Sequence, residues 1–219
     1  MIIKCPIFLI LDNRLFFPAT QRNRECISDV LSRIIKKGSV LEIGSGSGEH
    51  AVFFQKRFPK IIWQTSDPDL KHRKSIISWI EHEELTKKMP QPLDLDVQNI
   101  PWEISSNCDH SVQGVVSINM IHIAKWNCTV ELFRGAGMLL KKGNFLILYG
   151  PFKIANKHTS QSNYFFDNSI KMKNDLWGIR NLEEVTNEAK KNGFLQENII
   201  KMPANNFSII YRKVLFNEI

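Results

Sequence analysis

Cysteine is scarce in this 219-residue sequence, which contains four. They are Cys5, Cys26, Cys108 and Cys128. None belongs to a CxxC motif or to a Cys/His pair at metal-ligand spacing, the groupings that indicate disulfide frameworks and zinc sites. The sequence therefore indicates reduced thiols of the cytosolic kind and predicts no metal.

Apolar runs of membrane length are also missing. Residues 1–11 are mostly apolar, but Asp12 and Arg14 then interrupt the run, whereas a helix needs about 20 apolar residues to cross a bilayer. No small-residue cleavage site follows, as a secretory signal would require. We therefore predict a soluble, cytoplasmic protein without a membrane partner, in which residues 1–11 are packed or frayed.

A concentrated block of positive charge is absent as well. The chain has 29 Lys and Arg against 22 Asp and Glu, a net charge of +7, and its lysines are scattered. Such a balance permits attraction to nucleic acid or phosphorylated metabolites without requiring it. The composition favours an ordinary basic protein over a nucleic-acid-binding one.

The sequence does contain a regular alternation of strand and helix patterns. An apolar stripe predicts a helix over residues 27–35, ended by Gly38. Helices then alternate with predicted strands at 40–43, 61–65, 93–97, 112–119 and 145–149. This order is typical of a mainly parallel α/β sheet with helices on both faces.

The alternation stops at residues 150–180, a polar and aromatic stretch that is too long for a simple connection. Segments of this length are usually lids or substrate-binding insertions. A helix and two strands complete the pattern, at 182–192, near 199 and at 207–213. We predict one domain, 1–219, with residues 1–37 as an N-terminal cap and first helix and 150–180 as an inserted lid.

The clearest chemical motif is a glycine-rich turn between the first strand and the next helix. It reads Gly44-Ser45-Gly46-Ser47-Gly48. Glycine lets the backbone approach a ligand closely, and the following helix N-terminus favours anionic groups. A tight turn without a ligand is the alternative, but three alternating glycines are entropically costly. The turn predicts a binding site.

The glycines alone do not identify the ligand. Shifted by two residues, Gly46-x-Gly48-x-x-Ala51 satisfies the dinucleotide fingerprint. The strand, however, ends just before Gly44, and in that register the third position is Glu49, which breaks the fingerprint. An NAD-dependent oxidoreductase therefore stays an alternative, and the neighbouring motifs must distinguish between the two cofactors.

Two acids follow at the ends of the next strands. Asp67 closes the second strand, where a carboxylate can accept both ribose hydroxyls of an adenosine group. Its alternative role is to cap a helix, which Asp69 can also do. Asp96-Val97 closes the third strand and suits an adenine ring, because an acid can accept from the amino group beside an apolar side chain. This second acid favours S-adenosylmethionine over NAD.

Taken in order, Glu42-Ile43-Gly44-x-Gly46-x-Gly48, Asp67 and Asp96-Val97 resemble the cofactor motifs of class I S-adenosylmethionine-dependent methyltransferases. More narrowly, the chain resembles an uncharacterised methyltransferase-like family of bacteria and animals, a domain of unknown function. The stretches that carry this resemblance are 14–23, 119–123 with Trp126, 149–152, 177–180 and 202–206.

The resemblance implies an α/β, Rossmann-like class I methyltransferase fold. The sheet would be mostly parallel and seven-stranded, with helices on both faces and a C-terminal antiparallel hairpin. S-adenosyl-L-methionine would be the cofactor, and the resemblance implies no particular acceptor. The cofactor residues would be Glu42, Gly44, Ser45, Gly46 and Gly48 at the methionine moiety, Asp67 at the ribose, Asp96 and Val97 at the adenine, and Asn119.

Asn119, His122 and Tyr149 are the candidates for the chemistry, at the ends of the fourth and fifth strands. Methyl transfer from a sulfonium depends mostly on positioning, and a base helps only if the acceptor must lose a proton. His122 is the candidate base, and with an ordinary pKa turnover would rise through about pH 6–7. Alternatively, His122 starts a helix and bonds to the backbone.

The lid and the N-terminal cap supply the predicted acceptor site. Its candidate residues are Arg14, Asn23, Trp126, Asn163, Trp177 and Arg180, with Thr159, Ser160 and Ser162 nearby. Loop packing and capping are the alternative for each. Together these observations predict a methyltransferase acting on an unidentified small molecule.

Three other functions stay open. The first is an S-adenosylmethionine-binding protein without catalysis, and the second is the NAD-dependent oxidoreductase. The third, a nucleic-acid methyltransferase, is disfavoured because a flipped base needs an aromatic wall directly after the fourth strand. That loop has no proline pair and no aromatic residue before Trp126.

Overall fold

The computed structural model describes residues 12–104 and 112–215. The apolar segment 1–11, with Cys5, and also Cys108 lie outside the described residues. The helices are α1 (Pro18–Ile34), α2 (Glu49–Arg57), α3 (Leu70–His82), α4 (Trp126–Leu139), α5 (Gln161–Lys173) and α6 (Leu182–Lys191). The strands are β1 (Ser39–Ile43), β2 (Ile62–Ser66), β3 (Val112–Ile118), β4 (Phe145–Gly150), β5 (Lys153–Ile154), β6 (Lys157–His158), β7 (Phe194–Met202) and β8 (Asn206–Lys213).

Six strands form the central sheet, in the order β2-β1-β3-β4-β8-β7. The first four run parallel, whereas β8 pairs antiparallel with both β4 and β7. Every residue of β1 and β4 is buried, as expected for parallel strands covered on both faces. The prediction of a mostly parallel sheet with a C-terminal antiparallel hairpin is therefore confirmed.

The strand predicted at 93–97 is wrong, which is why the sheet has six strands instead of seven. The segment forms only a single bridge. Leu93 pairs in parallel with Ser66 at the β2 edge of the sheet, through bonds to its neighbours Thr65 and Asp67. Pro90 and Pro92 precede it and bring no N–H for a ladder. Directly after it, Arg73 binds the exposed Asp94 carboxylate at 2.9 and 2.8 Å and leads the chain away from the sheet.

Helices cover both faces of the sheet, as predicted. One apolar cluster joins the sheet to α1, α2 and α3, and the other joins it to α4 and α6. Successive strand residues feed opposite clusters, as Val40 and Leu41 of β1 show. Each fully buried aliphatic or aromatic side chain contributes about 1.5–3 kcal/mol, so the two clusters fix the frame that carries the strand ends.

The first helix is longer than its apolar stripe predicted. It begins at Pro18, a residue whose fixed φ suits the first turn, and ends at Ile34. Gly38 therefore does not cap it; its φ of 85° belongs to the turn into β1. The added N-terminal turns carry α1 over the carboxyl ends of the parallel strands.

Residues 150–180 hold more regular structure than the sequence predicted, namely the β5–β6 hairpin and α5. Asp167 of α5 is buried and binds Lys171 Nζ at 2.7 Å, His158 Nε2 at 2.9 Å and the Ile179 N–H at 2.7 Å. Burial opposes its ionisation, but these bonds hold the pKa of Asp167 well below its usual range. One carboxylate thus ties together the hairpin, α5 and the segment before α6.

Within residues 12–104 and 112–215, no helix combines the length and the apolar character that crossing a membrane requires.

Candidate functional site

Two adjoining cavities open at the carboxyl ends of the parallel strands, where open α/β sheets bind their ligands. The first cavity, about 660 Å³, lies between the start of α1, the glycine turn and the ends of β2 and β3. The second cavity, about 580 Å³, lies between α1, the ends of β3 and β4, α5 and the start of β8. Ala19, Asn119 and Ile123 line both, so the cavities share one wall.

The first cavity gathers all but one of the predicted cofactor residues. Those that line it are Glu42, Gly44, Ser45, Gly46, Asp67, Asp96, Val97 and Asn119. Gly48 is the exception, because it faces α3. A Cβ at Gly48 would lie 2.9 Å from the Ile76 Cα, so this glycine, with a φ of 90°, lets α2 pack on α3.

The glycine turn closes towards β2 and the N-terminal cap. The Gly44 and Ser45 N–H groups donate to the Ser66 carbonyl at 3.1 and 2.9 Å. Gly46 has a φ of 57°, and a Cβ there would lie 3.1 Å from the Phe17 ring. The absence of side chains at these glycines therefore keeps the narrow end of the first cavity open.

Glu42 is a buried carboxylate on the wall of the first cavity. Its Oε2 accepts a hydrogen bond from Trp63 Nε1 at 3.2 Å, and it has no cationic partner among the described residues. Burial raises the pKa of Glu42 to about 7. A cationic group of a ligand would offset this desolvation, so the site is suited to one.

Asp67 already holds three hydrogen bonds. Its Oδ2 accepts from the Gly46 N–H at 2.9 Å, and its Oδ1 accepts from the Asp69 N–H at 3.0 Å and from His72 Nδ1 at 3.1 Å. A carboxylate offers about four acceptor positions. Room therefore remains for one ribose hydroxyl, and acceptance of both requires one of the present bonds to be exchanged.

His72, which the sequence did not single out, lies beside this carboxylate on the wall of the first cavity. The hydrogen bond to Asp67 raises the pKa of His72. The protonated form donates from both ring nitrogens, so a second donor is available next to the acid that the sequence assigned to the ribose.

The N-terminal cap reaches the first cavity through Phe17 and Thr20. Glu49 at the start of α2 holds it: Oε2 accepts from the Phe17 N–H at 2.7 Å, and Oε1 accepts from Gln21 Nε2 at 2.9 Å. Arg14, the predicted contact, lines neither cavity. It pairs with Asp12 and its guanidinium stacks 5.0 Å from the Trp79 ring, on the outside of the cap.

The three predicted catalytic residues meet at the second cavity. Asn119, His122 and Tyr149 all line it, and the Asn119 N–H donates to the Tyr149 carbonyl at 2.8 Å. The loop after β3 is a turn closed from the Ile123 N–H to the Met120 carbonyl, not a helix. Asn119, His122 and Tyr149 therefore meet because two strand ends and a turn bring them together, and not because they share one face of a helix.

His122 does not have the ordinary pKa that the sequence suggested. It is only 3% exposed, and its Nδ1 has no hydrogen-bond partner among the described residues. Burial, with a smaller effect of the nearby Arg180 charge, lowers the pKa of His122 to about 4. The imidazole is therefore neutral near pH 7 and a weak base.

Asn23 and Asn163 line the second cavity, as predicted. His50 Nε2 binds Asn23 Oδ1 at 2.7 Å. Asn163 Nδ2 donates to Thr159 Oγ1 and to the Asn205 carbonyl, both at 3.0 Å. These bonds fix two buried amides against the cavity.

Trp126, Trp177 and Arg180 line neither cavity. The Arg180 guanidinium donates to the carbonyls of Ile121 and Ala124 and stacks 5.8 Å from the Trp126 ring. Arg180, with Trp126 against it, therefore holds the turn that carries His122. The Trp177 N–H donates to the Asn174 carbonyl inside the lid.

Several lining residues had no signal in the sequence. They include Phe17 and His72 at the first cavity, and Arg22, Phe166 and Asn206 at the second. Phe17, Arg22 and Asn206 belong to the stretches of narrower resemblance, but no spacing rule marks any of them as a ligand contact.

Solved methyltransferase structures share this fold. An O-methyltransferase family protein from Burkholderia thailandensis superposes with a TM-score of 0.75 at 14% identity, covering 89% of this chain and 57% of that one. An O-methyltransferase family 2 protein from Planctomyces limnophilus, in complex with apigenin, gives 0.72 at 13%, covering 90% and 60%. Human N-acetylserotonin methyltransferase in complex with SAM gives 0.70 at 12%, covering 90% and 53%. The chain thus spans little more than half the length of these proteins, and the likeness establishes the Rossmann-like methyltransferase fold.

A family model adds to this likeness of fold. The model described as "Protein of unknown function (DUF938)" matches residues 14–213. That range runs from the N-terminal cap through β8 and includes the residues that line both cavities. The chain therefore belongs to the DUF938 family.

Proposed function

We propose that this protein is an S-adenosylmethionine-dependent methyltransferase with the methyl donor in the first cavity and a small acceptor in the second. The observation that carries the proposal is Glu42, a buried carboxylate at the wall of the first cavity that has no cationic partner among the residues the structure describes. A methyl donor with an α-ammonium and a sulfonium supplies the charge that this site lacks.

The residues of the first cavity fit the donor from one end to the other. Glu42 would hold the ammonium, and the backbone of Gly44 and Gly46 would leave room for the methionine moiety. Asp67 would accept from the ribose with His72 beside it. The adenine end would be formed by Leu95, Asp96, Val97 and Gln98, which line the far side. When bound, the donor supplies an electrophilic methyl group on a positively charged sulfur.

Positioning is the catalytic contribution that this geometry supports. Asn119 stands on the wall shared by the two cavities, and its backbone is fixed to Tyr149. Arg180 clamps the turn that carries His122, and Asp167 ties the parts of the lid together. A fixed acceptor beside a fixed donor can account for much of the rate enhancement of a displacement.

The solved relatives support the proposal by analogy. Several of them are O-methyltransferases, and one was solved in complex with apigenin, a small molecule. The second cavity here, about 580 Å³, has a volume suited to a small acceptor. We also propose that residues 1–219 act as one unit, with 1–37 as the cap over the donor and 150–180 as the lid over the acceptor.

Calorimetry with S-adenosylmethionine, S-adenosylhomocysteine and NAD in parallel tests the donor site. We expect both adenosyl ligands to bind and NAD not to. Replacing Asp67 with Ala should weaken S-adenosylhomocysteine about ten- to hundredfold, because a charge-assisted hydrogen bond is lost.

The matched control is Asp94→Ala, since Asp94 is the neighbouring acid that faces solvent and pairs with Arg73. The affinity of Asp94→Ala for S-adenosylhomocysteine should stay within a few-fold of the wild-type affinity. NAD binding without adenosyl binding would refute the proposal. A screen with labelled methyl donor then separates an enzyme from a protein that only binds the cofactor.

A further inference from the structure

We propose that the acceptor is a carboxylic acid, whose carboxylate enters the second cavity already ionised and receives the methyl group on oxygen. The proposal rests on the methyl-transfer function proposed above. It is argued from the charge of the cavity, from one hydroxyl whose hydrogen no described residue accepts and from the surroundings of His122.

The charge of the second cavity favours an anion over an amine. Among the described residues that line it, none is Asp or Glu, and Arg22 is the one with a permanently charged side chain. Its polar groups are otherwise amides, hydroxyls and one imidazole, from Asn23, Asn119, Asn163, Asn206, Ser162, Tyr149 and His122. An ammonium would lose water there without gaining a counter-charge, whereas an anion gains the Arg22 guanidinium.

The Tyr149 hydroxyl is available as a donor. Its oxygen accepts a hydrogen bond from Asn206 Nδ2 at 3.2 Å. No hydrogen bond to another described residue uses its hydrogen, so the hydroxyl can donate that hydrogen to a ligand. A carboxylate oxygen is a strong acceptor for such a group.

The surroundings of His122 make it a poor base for an acceptor proton. Among the described residues its Nδ1 has no hydrogen-bond partner, and the charge of Asp167 does not offset the effect of burial on the imidazolium. Burial keeps the pKa of His122 low, and an ordinary alcohol would have to give its proton to this weak base. A carboxylate brings no proton and therefore needs no base.

The transfer step balances without a proton. The acceptor oxygen supplies the electron pair of the new C–O bond, and the pair of the broken S–C bond stays on sulfur. An anion and a sulfonium become a neutral methyl ester and a neutral thioether. The two oxygens of a carboxylate allow one to be held by Tyr149 while the other reacts.

Apolar groups complete the cavity. Phe166 stands 5.5 Å from the His122 ring, centroid to centroid, and Pro151 and Pro203 also line the walls. These flat surfaces suit a planar or aromatic body behind the carboxylate. Benzoate is therefore an appropriate probe, with benzamide and benzylamine as neutral and cationic analogues of similar shape.

The test is a titration of these three probes into the protein saturated with S-adenosylhomocysteine. Benzoate should bind at least about tenfold more tightly than either analogue. Tyr149→Phe and Arg22→Gln should each remove most of that preference while S-adenosylhomocysteine affinity stays within a few-fold. Tyr164→Phe is the matched control, because Tyr164 is exposed on α5 and lines neither cavity, and it should keep the preference.

The outcomes separate the two proposals. If S-adenosylhomocysteine fails to bind, the methyl-transfer function is refuted together with the acceptor. If it binds but benzoate has no advantage over benzylamine, the carboxylic-acid acceptor alone is refuted. A metabolite screen with labelled methyl donor gives a further test. Release of the label from the product by mild base supports a methyl ester, and a label that is stable to base overturns the carboxylic-acid acceptor.

Discussion

The residues that define the donor site are carboxylates whose surroundings differ. Glu42 is buried with an indole N–H as its partner, whereas Asp67 is bound by two backbone N–H groups and a histidine. Burial makes ionisation of Glu42 costly until a cation arrives. Binding of a cationic ligand should therefore be coupled to the protonation of this one residue.

We expect Glu42 to release a proton when S-adenosylhomocysteine binds near pH 6. Its pKa of about 7 keeps it mostly protonated there, and the ligand ammonium favours the ionised form. Calorimetry in two buffers of different ionisation enthalpy measures the proton release. Glu42→Gln should abolish it and weaken binding by at least about tenfold. The exposed Glu197→Gln is the control, and unchanged release in Glu42→Gln would contradict the assignment.

His122 should show its burial in the stability of the protein at acid pH. Its folded pKa of about 4 lies below the unfolded value, so the unfolded state takes up a proton as pH falls through about 6.5. The wild type therefore loses stability from about pH 6.5 down to pH 4. His122→Gln removes this loss, by up to about 3 kcal/mol in the free energy of unfolding.

Denaturant unfolding at pH 7 and pH 4 checks this, with the exposed His82→Gln as control. His50, also buried and with a pKa lowered to about 3, contributes in the same sense. Glu42 opposes both, because its raised pKa makes the folded state bind the extra proton. Only the difference in the free energy of unfolding between the variant and the wild type isolates the contribution of His122. The pH profile of turnover should also lack an inflection at pH 6–7.

Among the elements, the glycine turn serves two functions at two positions. Gly46 faces the first cavity and the Phe17 ring, whereas Gly48 starts α2 against α3. Both have positive φ, so the same substitution strains the backbone at either one. Their neighbours decide what else each substitution disturbs.

Gly46→Ala should chiefly reduce ligand affinity, and Gly48→Ala should chiefly reduce stability. A Cβ at Gly46 meets an aromatic side chain on the half-exposed cap, but at Gly48 it meets the backbone of Ile76 at 2.9 Å. Overpacking of this kind costs about 1–3 kcal/mol. Thermal unfolding and S-adenosylhomocysteine calorimetry on both variants separate the effects. Equal losses in both measurements would show that the two glycines are equivalent.

At the scale of the whole molecule, two cavities lie at the carboxyl ends of the parallel strands, and the N-terminal cap and the lid cover them. The cap is held through Glu49, which binds residues about 30 positions away, and the lid is held through Asp167, which binds residues on both sides of it within the lid. The cap contacts both cavities, whereas the lid contacts only the second, so loosening the lid should spare the first cavity.

Asp167→Asn should loosen the lid without affecting the donor site. The change leaves Lys153, His158 and Lys171 without their carboxylate, so hydrogen exchange over residues 153–180 should accelerate. Benzoate affinity should fall while S-adenosylhomocysteine affinity stays within a few-fold. Lys171→Gln removes only one of the three cations and serves as a graded control. Equal loss of both ligands would mean that the lid also supports the first cavity.

Local patterns predicted the frame well. Short apolar runs bounded by turn residues predicted all six strands of the central sheet. Strands that helices cover on both faces are apolar throughout, which makes such runs stand out. The strand at 93–97 failed because an edge position has one neighbour only, and the prolines before Leu93 weaken it further. No helix was predicted within residues 150–180, because α5 is held by Asp167 and its partners rather than by a strong apolar stripe of its own.

Local sequence specifies the order of the sheet strands and helices, the glycine turn and the succession of the acids Glu42, Asp67 and Asp96, since each depends on residues adjacent in the chain. Tertiary packing alone sets which distant side chains share a cavity. It placed Asn23, Asn163 and Asn206 beside Tyr149, turned Arg180 away to clamp a loop, and buried His122 without a partner. Those outcomes depend on packing and desolvation between segments that are not adjacent in the chain, and no local spacing encodes them.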